Sequence, residues 1–200
     1  NSLPDDPLIL GVHLEGPFIS PVYPGAQPIE HIATPPIGPS EWDAILDDPR
    51  LRVVTLAPEV PFALELTTRL SNRGVIVSLG HTNSTYDEAR FGFEFGATQT
   101  THTFNAMRPF HHREAGTVGY ALSNDSIRCE LIYDRQHVSK EAAKLLLQCK
   151  GHERVVAVSD SSMATGLSAG QRFEMWWRPV ETLKGKVVLE GTDTLAGSSI

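Results

Sequence analysis

The stretch GVHLEGPF, residues 11–18, closes an apolar run, LILGVHLE, and presents His13 and Glu15 beside a Gly-Pro turn. A continuous apolar run is typical of a strand that is buried on both faces, as in a parallel sheet. Its polar end has two interpretations: the strand has reached the surface, or it has reached an active site. One motif does not separate them, so the ends of the other strands must be compared.

Six apolar runs of this kind are spaced along the chain, and most are continuous rather than alternating. They cover residues 8–13, 51–57, 75–80, 97–102, 127–133 and 154–159. Between them lie helix-like segments at 39–48, 61–74, 84–96 and 139–151. Strands and helices that alternate at roughly 20–30 residues per unit predict an α/β fold with parallel strands.

Residues that favour helix ends accompany several of these segments. Ser40 is expected to cap the first helix, and Gly74 is expected to end the second. Ser84, followed three residues later by Asp87, predicts a capping box at the start of the third helix.

The segment 170–194 breaks the alternation. Aromatic and β-branched residues alternate there around turn residues that include Lys184-Gly185, which predicts antiparallel strands. We expect this segment to form an insertion, a lid or a wall beside the α/β body. As neighbours on a strand, Trp176 and Trp177 would point to opposite faces, so only one could stack on a sugar. A structural role for the pair is the interpretation that this pattern favours.

The composition argues against several classes of function. The formal net charge is -7 and the basic residues are scattered, whereas phosphate-rich partners such as nucleic acids require a basic surface. No apolar run approaches the roughly 20 residues of a membrane-spanning helix, so no membrane partner is expected. Cys129 and Cys149 lack Cys-x-x-Cys partners, which disfavours a disulfide framework or a thiolate zinc site and favours a cytoplasmic protein.

Ionisable residues stand at the C-terminal ends of the predicted strands. They are His13 and Glu15, His81, His102, Asp134 with His137, and Asp160. In a parallel barrel these ends share one face, where the loops build the catalytic site. The repetition of the pattern from strand to strand favours an active site over isolated structural residues.

Glu15, His81 and His102 form a set of two imidazoles and one carboxylate. Such a set suits Zn²⁺ or another borderline divalent ion with one position open to water, so we expect a metal site. A bound ion of this kind can lower the pKa of water to about 7. Asp160 is the candidate general base, and a helix N-cap is the alternative of equal weight.

Several motifs together resemble one protein family. HLEGPFI, VTLAPE, LGHTNSTYDEA, THTFNAMRPFHHREAG, VSDSSMATG and LAGSS follow one another in this order. This series resembles the N-acetylglucosamine-6-phosphate deacetylases of the amidohydrolase superfamily. The resemblance implies a TIM-barrel (β/α)8 metal-dependent hydrolase with a small β-sandwich domain.

The resemblance also implies an incomplete barrel here, one that lacks the first and last strands and the β-sandwich. The opening residues, NSLPDDPLIL, read like a chain entered partway through. We expect residues 1–169 to hold the central βα units and 170–194 the β-rich insertion or lid. Residues 195–200 are expected to start the next substrate-binding loop and βα unit.

Carried over residue by residue, the resemblance assigns Glu15, His81 and His102 to the catalytic metal and Asp160 to acid/base catalysis. The residues that it implies for substrate binding are Ala26, Asn105, Ala106, Arg113, His137, Leu195, Ala196, Gly197 and Ser198. The implied cofactor is a divalent metal, with Zn expected and Fe as an alternative, and with one or two ions left open.

The implied partner is an amino-sugar phosphate. Asn105 and Ala106 match residues that bind its phosphate, partly through backbone N–H groups. Arg113 matches an arginine that pairs with the phosphate from the neighbouring subunit of a homodimer, a role that suits the bidentate guanidinium group.

The implied reaction is removal of the acetyl group from N-acetylglucosamine 6-phosphate, giving glucosamine 6-phosphate and acetate. Gln27 departs from the family pattern, which has a histidine near the substrate amide, and Tyr133 and Arg135 depart from it beside His137. Two alternatives therefore stay open. One is a non-catalytic sugar-phosphate binding protein on a degenerate scaffold, and the other is an amidohydrolase that acts on a cyclic amide.

Overall fold

The structure is a computed structural model that describes residues 9–199. Six parallel strands form its main sheet, in the order β1 to β6, so each strand pairs with its neighbour in the sequence. They are β1 (Val12–Glu15), β2 (Leu51–Leu56), β3 (Ile76–Leu79), β4 (Gln99–Thr100), β5 (Arg128–Leu131) and β6 (Val155–Ala157). The sheet curls into part of a (β/α) barrel, which confirms the predicted fold class.

Helices connect the strands. They are α1 (Asp43–Leu46), α2 (Ala63–Asn72), α3 (Tyr86–Glu94), α4 (Gly116–Ser123) and α5 (Lys140–Lys150). The prediction of a helix over 39–48 is too long, because α1 has four residues. The sequence did not predict α4: most of its residues are buried, so it has no polar face to produce a helical period. In the described range, no helix has the length and apolarity to cross a membrane.

The first strand starts later than the predicted segment 8–13. Leu8 lies outside the described residues, and the strand begins at Val12. Gly11 has a φ of +152°, and a Cβ there would lie 2.5 Å from the carbonyl oxygen of Arg50. This close approach of the two backbones needs a glycine, and regular pairing with β2 begins only beyond it. The run thus reaches Glu15, at the carboxyl end of β1.

At the starts of α3 and α1, the N-cap residues differ from the predicted ones. The predicted box of Ser84 and Asp87 is wrong by one position: Thr85 caps α3 and forms the capping box with Glu88. The Ser84 hydroxyl instead makes a buried hydrogen bond with the hydroxyl of Thr117. The Ser84 hydroxyl is therefore engaged in a tertiary contact and does not cap the helix.

The first helix also differs from the expected capping. Its N-cap is Trp42, which makes no side-chain capping hydrogen bond. The Ser40 hydroxyl accepts a hydrogen bond from the Trp42 N–H, and the Ser40 N–H donates to the Asp43 carboxylate. These bonds form a turn before the helix. In α2, by contrast, Gly74 ends the helix as predicted, with a φ of +77°.

A hydrophobic core lies between the sheet and α2. Val54, Leu56, Leu70, Val77 and Leu79 have no exposed surface there. Full burial of such a side chain contributes about 1.5–3 kcal/mol to folding. This core fixes β2 and β3, whose carboxyl ends carry part of the candidate site.

A second, antiparallel sheet lies within the segment predicted to be β-rich. Its strands are β7 (Arg172–Met175), β8 (Arg178–Leu183) and β9 (Lys186–Leu189), in that order. Its buried face includes Met175, Val180 and Val187, and Ala26 and Ala196 pack against them. The small sheet is thereby joined to two loops of the barrel. The division at 169, 194 and 195 stays a prediction, and Ile200 lies outside the described residues.

Trp176 and Trp177 are not strand residues, so the expectation that they point to opposite faces of a strand is wrong. Met175 pairs with Arg178, which leaves the two tryptophans as the two-residue turn between β7 and β8. Their φ angles are +52° and +59°. A hairpin turn of this kind requires positive φ at both central residues and favours Asn and Gly there. Bulky side chains at these positions are strained.

Candidate metal centre and substrate cleft

Three of the candidate residues adopt left-handed backbone conformations just after their strands. The φ angles are +47° at His81, +29° at His102 and +51° at Asp160. Such conformations cost free energy in residues with a side chain and cluster at functional sites. Here each one turns the chain sharply at the carboxyl end of a strand and directs the next residues into the loop.

The three candidate metal ligands converge. Glu15 Oε1 lies 3.0 Å from His81 Nε2 and 3.6 Å from His102 Nε2. The two Nε2 atoms are 3.1 Å apart. Ligand atoms around a tetrahedral zinc ion, at its usual Zn–N distances, are about 3.3 Å apart. The donor set and its spacing therefore fit a cation such as Zn²⁺, in the arrangement that the sequence predicts.

The surroundings of His81 orient its Nε2 atom into the site, whereas the ring of His102 has no such partner. His81 Nδ1 lies 3.0 Å from the carbonyl oxygen of Tyr23, so it carries the proton and leaves Nε2 free to bind a metal. His102 is buried, and its Nδ1 is the one buried side-chain polar atom of residues 9–199 that lacks a hydrogen-bond partner. Its Nε2 faces Glu15 and His81, where a cation would satisfy it.

The electrostatics of the site couple Glu15 to His102. Burial raises the pKa of Glu15, but hydrogen bonds and charge interactions with His102 and His81 outweigh it and hold this pKa well below its usual range. Burial lowers the pKa of His102, and the Glu15 carboxylate overcomes this effect and raises it to about 9. The proton therefore resides on His102, whose positive charge balances the ionised Glu15 carboxylate. Metal binding would release that proton.

Asp160 has the opposite perturbation. Burial, followed by the negative charge of Glu15, raises its pKa above the usual value, although His102, His137 and His81 oppose the shift. Its carbonyl oxygen accepts a hydrogen bond of 2.7 Å from the Ser198 N–H, which holds this turn against the loop that follows β9. A carboxyl group with a raised pKa is suited to transfer protons near neutral pH.

Two further carboxylates, whose positioning roles the sequence analysis missed, hold the backbone beside the histidines. Glu130, buried on β5, accepts hydrogen bonds from the His102 N–H at 3.0 Å and from the Gln99 side chain at 2.5 Å. Glu59 accepts hydrogen bonds of 2.6 Å from the Thr82 hydroxyl and the Asn83 N–H. The sequence signal that could have indicated a role for Glu130 is the position of this carboxylate inside the apolar run IRCELIY.

A cleft of about 1440 Å³ opens over the cluster, and Glu15, His81, His102 and Asp160 line it. The candidate substrate residues that also line it are Ala26, Asn105, Ala106, His137, Leu195 and Gly197. Ala196 and Ser198 are fully buried behind the cleft wall. The structure therefore brings the candidate metal, acid/base and most of the candidate substrate residues to one place.

Two of the residues singled out in the sequence lie elsewhere. Arg113 is exposed, does not line this cleft, and contacts the ring of His112 through Nη1 at 3.1 Å. His13 is exposed and hydrogen-bonds the Thr55 hydroxyl at 2.7 Å, also outside the cleft lining. His13 thus lies two residues before the end of β1, and its role as a site residue stays a prediction.

The backbone N–H groups of Asn105 and Ala106 differ in their hydrogen bonding. The Asn105 N–H is engaged by the His102 carbonyl oxygen at 2.9 Å, and its side-chain amide donates to the same oxygen. Ala106, with a φ of +47°, has a backbone N–H that meets no acceptor among residues 9–199. An unpaired N–H at a cleft is suited to bind an anion such as phosphate.

His137 is held in place by Asp134. Its Nδ1 lies 2.6 Å from the Asp134 carboxylate, so the proton resides there and Nε2 is left for a ligand. Burial raises the pKa of Asp134, but hydrogen bonds from the N–H groups of His137 and Gln136 and from the imidazole lower it overall. Tyr133 and Arg135 flank this pair on the exposed side of the loop.

The sequence was compared with known proteins. No protein-family model matches the chain. It is 40% identical over 191 residues to an N-acetylglucosamine-6-phosphate deacetylase of Bacillus subtilis, covering 95% of this chain and 48% of that protein. It is 36% identical over 192 residues to an N-acetylgalactosamine-6-phosphate deacetylase of Escherichia coli O157:H7, covering 96% and 50%. The chain spans about half the length of these relatives.

Solved structures give the same result. The chain is similar to N-acetyl-D-glucosamine-6-phosphate deacetylase of Mycobacterium smegmatis in complex with N-acetyl-D-glucosamine-6-phosphate, with a TM-score of 0.90 and 36% identity, covering 95% of this chain and 50% of that one. For N-acetylglucosamine-6-phosphate deacetylase of Thermotoga maritima the TM-score is 0.87 and the identity 38%, with coverage of 96% and 51%.

Proposed function

Because the chain is homologous to the N-acetylglucosamine-6-phosphate deacetylases over about 95% of its length, we propose that its protein removes the acetyl group from N-acetylglucosamine 6-phosphate. The products are glucosamine 6-phosphate and acetate. The convergence of Glu15, His81 and His102 beside Asp160 in one cleft is the observation that carries this proposal.

Glu15, His81 and His102 would hold a divalent cation, for which Zn²⁺ is the first candidate and Fe²⁺ the second. Such a cation, when bound, acidifies water and polarises the substrate carbonyl. The Tyr23 carbonyl orients His81, and the Glu130 carboxylate fixes the backbone of His102. Partners of this kind are needed because small errors in ligand orientation weaken a metal site.

Asp160 acts as the acid/base group. Its carboxylate lines the same cleft as the three candidate ligands, where it accepts a proton from water and then donates it to the departing amine nitrogen. Transfer of the proton to the amine is necessary because an unprotonated amide nitrogen is a poor leaving group.

The rest of the cleft orients the sugar phosphate. The Ala106 N–H binds a phosphate oxygen, Asn105 shapes the same turn, and His137 Nε2 contacts a sugar hydroxyl. Ala26, Leu195 and Gly197 pack on the sugar, while Ala196 and Ser198 support that loop from behind. Arg113 serves the cleft of a second copy in a homodimer, which accounts for its exposed position outside its own cleft.

N-acetylgalactosamine 6-phosphate is the second candidate substrate. A relative named N-acetylgalactosamine-6-phosphate deacetylase is 36% identical to the chain, close to the 40% of the N-acetylglucosamine-6-phosphate deacetylase of Bacillus subtilis. Gln27, which departs from the family pattern, lies beside the candidate metal ligands: its side-chain amide donates to the Glu15 backbone carbonyl and lies 3.4 Å from the Glu15 carboxylate. A cytoplasmic location is proposed on the free thiols of Cys129 and Cys149.

The test is acetate release by the full-length protein, loaded with Zn²⁺ or Fe²⁺, on both sugar phosphates. Asp160→Asn should reduce kcat by about 100-fold or more, the usual contribution of a positioned acid/base group. Asp125→Asn, on an exposed loop, is the matched control and should retain full activity. No acetate release from either sugar phosphate with either metal would overturn the proposal in favour of a binding protein or a cyclic-amide hydrolase.

A further inference from the structure

The hairpin turn Trp176-Trp177 forms one end of the catalytic cleft. Both tryptophans line the cleft that contains Glu15 and Asp160, yet they are 46% and 78% exposed. Indole rings in a protein core are buried, because burial of their large apolar surface is their main contribution to stability. These two rings therefore contribute little packing for their size.

The backbone conformation makes the same pair unfavourable for folding. Both residues have positive φ in a two-residue turn, where glycine or asparagine is preferred. Neither stability nor turn chemistry explains two bulky aromatic residues there. Residues that are kept at a cost to stability are candidates for function.

Contacts across the cleft tie this turn to the substrate loop. The Trp177 ring meets the His31 ring edge to face, with centroids 5.4 Å apart. The neighbouring Arg178 donates a hydrogen bond to the carbonyl oxygen of Ala26, which packs on the same small sheet through Met175. The turn is therefore positioned by the loop that the deacetylase proposal places over the sugar.

The cleft extends from the candidate metal ligands to the tryptophan turn. Glu15, His81 and His102 line it, and so do Trp176, Trp177, Glu30 and His31. The edge-to-face contact of Trp177 with His31 brings an indole and an imidazole together at this turn.

We propose that Trp176 and Trp177 form a second subsite, which stacks on the apolar face of a further pyranose ring linked to the acetylated sugar phosphate. A pyranose has C–H groups on its faces and hydroxyl groups on its rim. The indoles match the faces, and the carboxylate of Glu30 and the imidazole of His31 match the rim.

The inference rests on the proposed function, because it places the acetylated ring at the candidate metal centre. Its test compares binding of N-acetylglucosamine 6-phosphate with binding of the disaccharide that carries a second N-acetylglucosamine ring on its anomeric carbon. Binding is measured by calorimetry and tryptophan fluorescence on the full-length protein with the Asp160→Asn substitution, which slows turnover. We expect the disaccharide phosphate to bind about tenfold more tightly and to change the fluorescence more.

Trp177→Gly is the decisive variant. Glycine relieves the positive φ at this turn, so the variant should fold with an unchanged or higher melting temperature. It should lose the roughly tenfold preference for the disaccharide phosphate. Lys184→Ala, in the other hairpin turn of the small sheet, is the control and should keep the preference.

Two outcomes overturn the subsite: no preference of the parent protein for the disaccharide phosphate, or a preference that survives Trp177→Gly. A clearly lowered melting temperature of Trp177→Gly with an unchanged preference would show a structural role instead. Failure of the deacetylase proposal is separate, since it would appear as absent acetate release by the unsubstituted protein, with the binding preference retained.

Discussion

The Glu130 carboxylate accepts a hydrogen bond of 3.0 Å from the backbone N–H of His102, although 28 residues separate the two along the chain. Both groups are buried. Glu130 thereby fixes the backbone at the point where His102 takes its left-handed conformation and directs its imidazole toward Glu15. A carboxylate with no expected catalytic role therefore determines the geometry of a candidate ligand.

Replacement of this carboxylate should weaken the metal site. Glu130→Gln keeps the shape but places an amide N–H against the donors of His102 or Gln99, which leaves a buried donor without a partner. We expect stability to fall by about 1–3 kcal/mol and zinc affinity to fall about 10- to 100-fold. Denaturant unfolding and competition with a zinc chelator measure the two effects. Glu153→Gln, at an exposed site, should change neither.

Zinc should stabilise the folded protein through the three-residue cluster. A ligand that binds only the folded state adds about 2.7 kcal/mol at a free concentration of 100 times its Kd. The melting temperature should therefore rise with Zn²⁺ and fall again with a chelator. His81→Ala and His102→Ala should abolish the rise, whereas His152→Ala, at an exposed position, should retain it. A rise of the same size in all three variants would place the ion elsewhere.

Acid should weaken the Asp134–His137 pair. The pKa of Asp134 is lower in the folded protein than its unfolded value near 3.8, because the Gln136 and His137 N–H groups and the imidazole stabilise its charged form against the effect of burial. The stabilisation from this charge is therefore complete above the unfolded pKa of Asp134, and it disappears as the pH falls through the folded pKa.

The Asp134→Asn variant tests this prediction. It should be less stable than the parent at pH 7, and the difference should shrink as the pH is lowered below about 4, measured by urea unfolding over a pH series. Asp125→Asn serves as the exposed control, with little change at either pH. A stability difference that does not depend on pH would contradict the assigned charge interaction.

The capping box of α3 should contribute measurably to stability. The Thr85 hydroxyl accepts a hydrogen bond from the Glu88 N–H, and the Glu88 carboxylate accepts one from the Thr85 N–H. Thr85→Ala should cost about 1 kcal/mol in the free energy of unfolding, and Thr85→Ser should restore most of it. Equal stabilities of the alanine and serine variants would show that the hydroxyl does not cap the helix.

Local patterns account for the strands and for part of the candidate site. Continuous apolar runs predicted all six parallel strands, because burial on both faces leaves no polar alternation. The position of Glu15, His81 and His102 at strand ends predicted their meeting, since parallel strands end on one face. Both predictions depend only on spacing along the chain and on the geometry of a parallel sheet.

Contacts between distant segments account for what the sequence did not predict. The Ser84 hydroxyl bonds to Thr117 instead of capping α3, and α4 lacks a helical period because most of its residues are buried. The role of Glu130 depends on a partner on another strand. Trp176 and Trp177 have the residue types of a strand, but the pairing of Met175 with Arg178 makes them a turn.

By itself, the sequence determined the alternating α/β pattern, the family resemblance and the three ligand types at strand ends, because these depend on residue identity and spacing. The tertiary structure alone decided which atoms face the centre: His81 Nε2 rather than Nδ1, Glu130 behind His102, and both tryptophans at the rim. The physical reason is that hydrogen bonds and ring contacts act over a few ångströms of space. These contacts do not depend on how far apart the two partners lie along the chain.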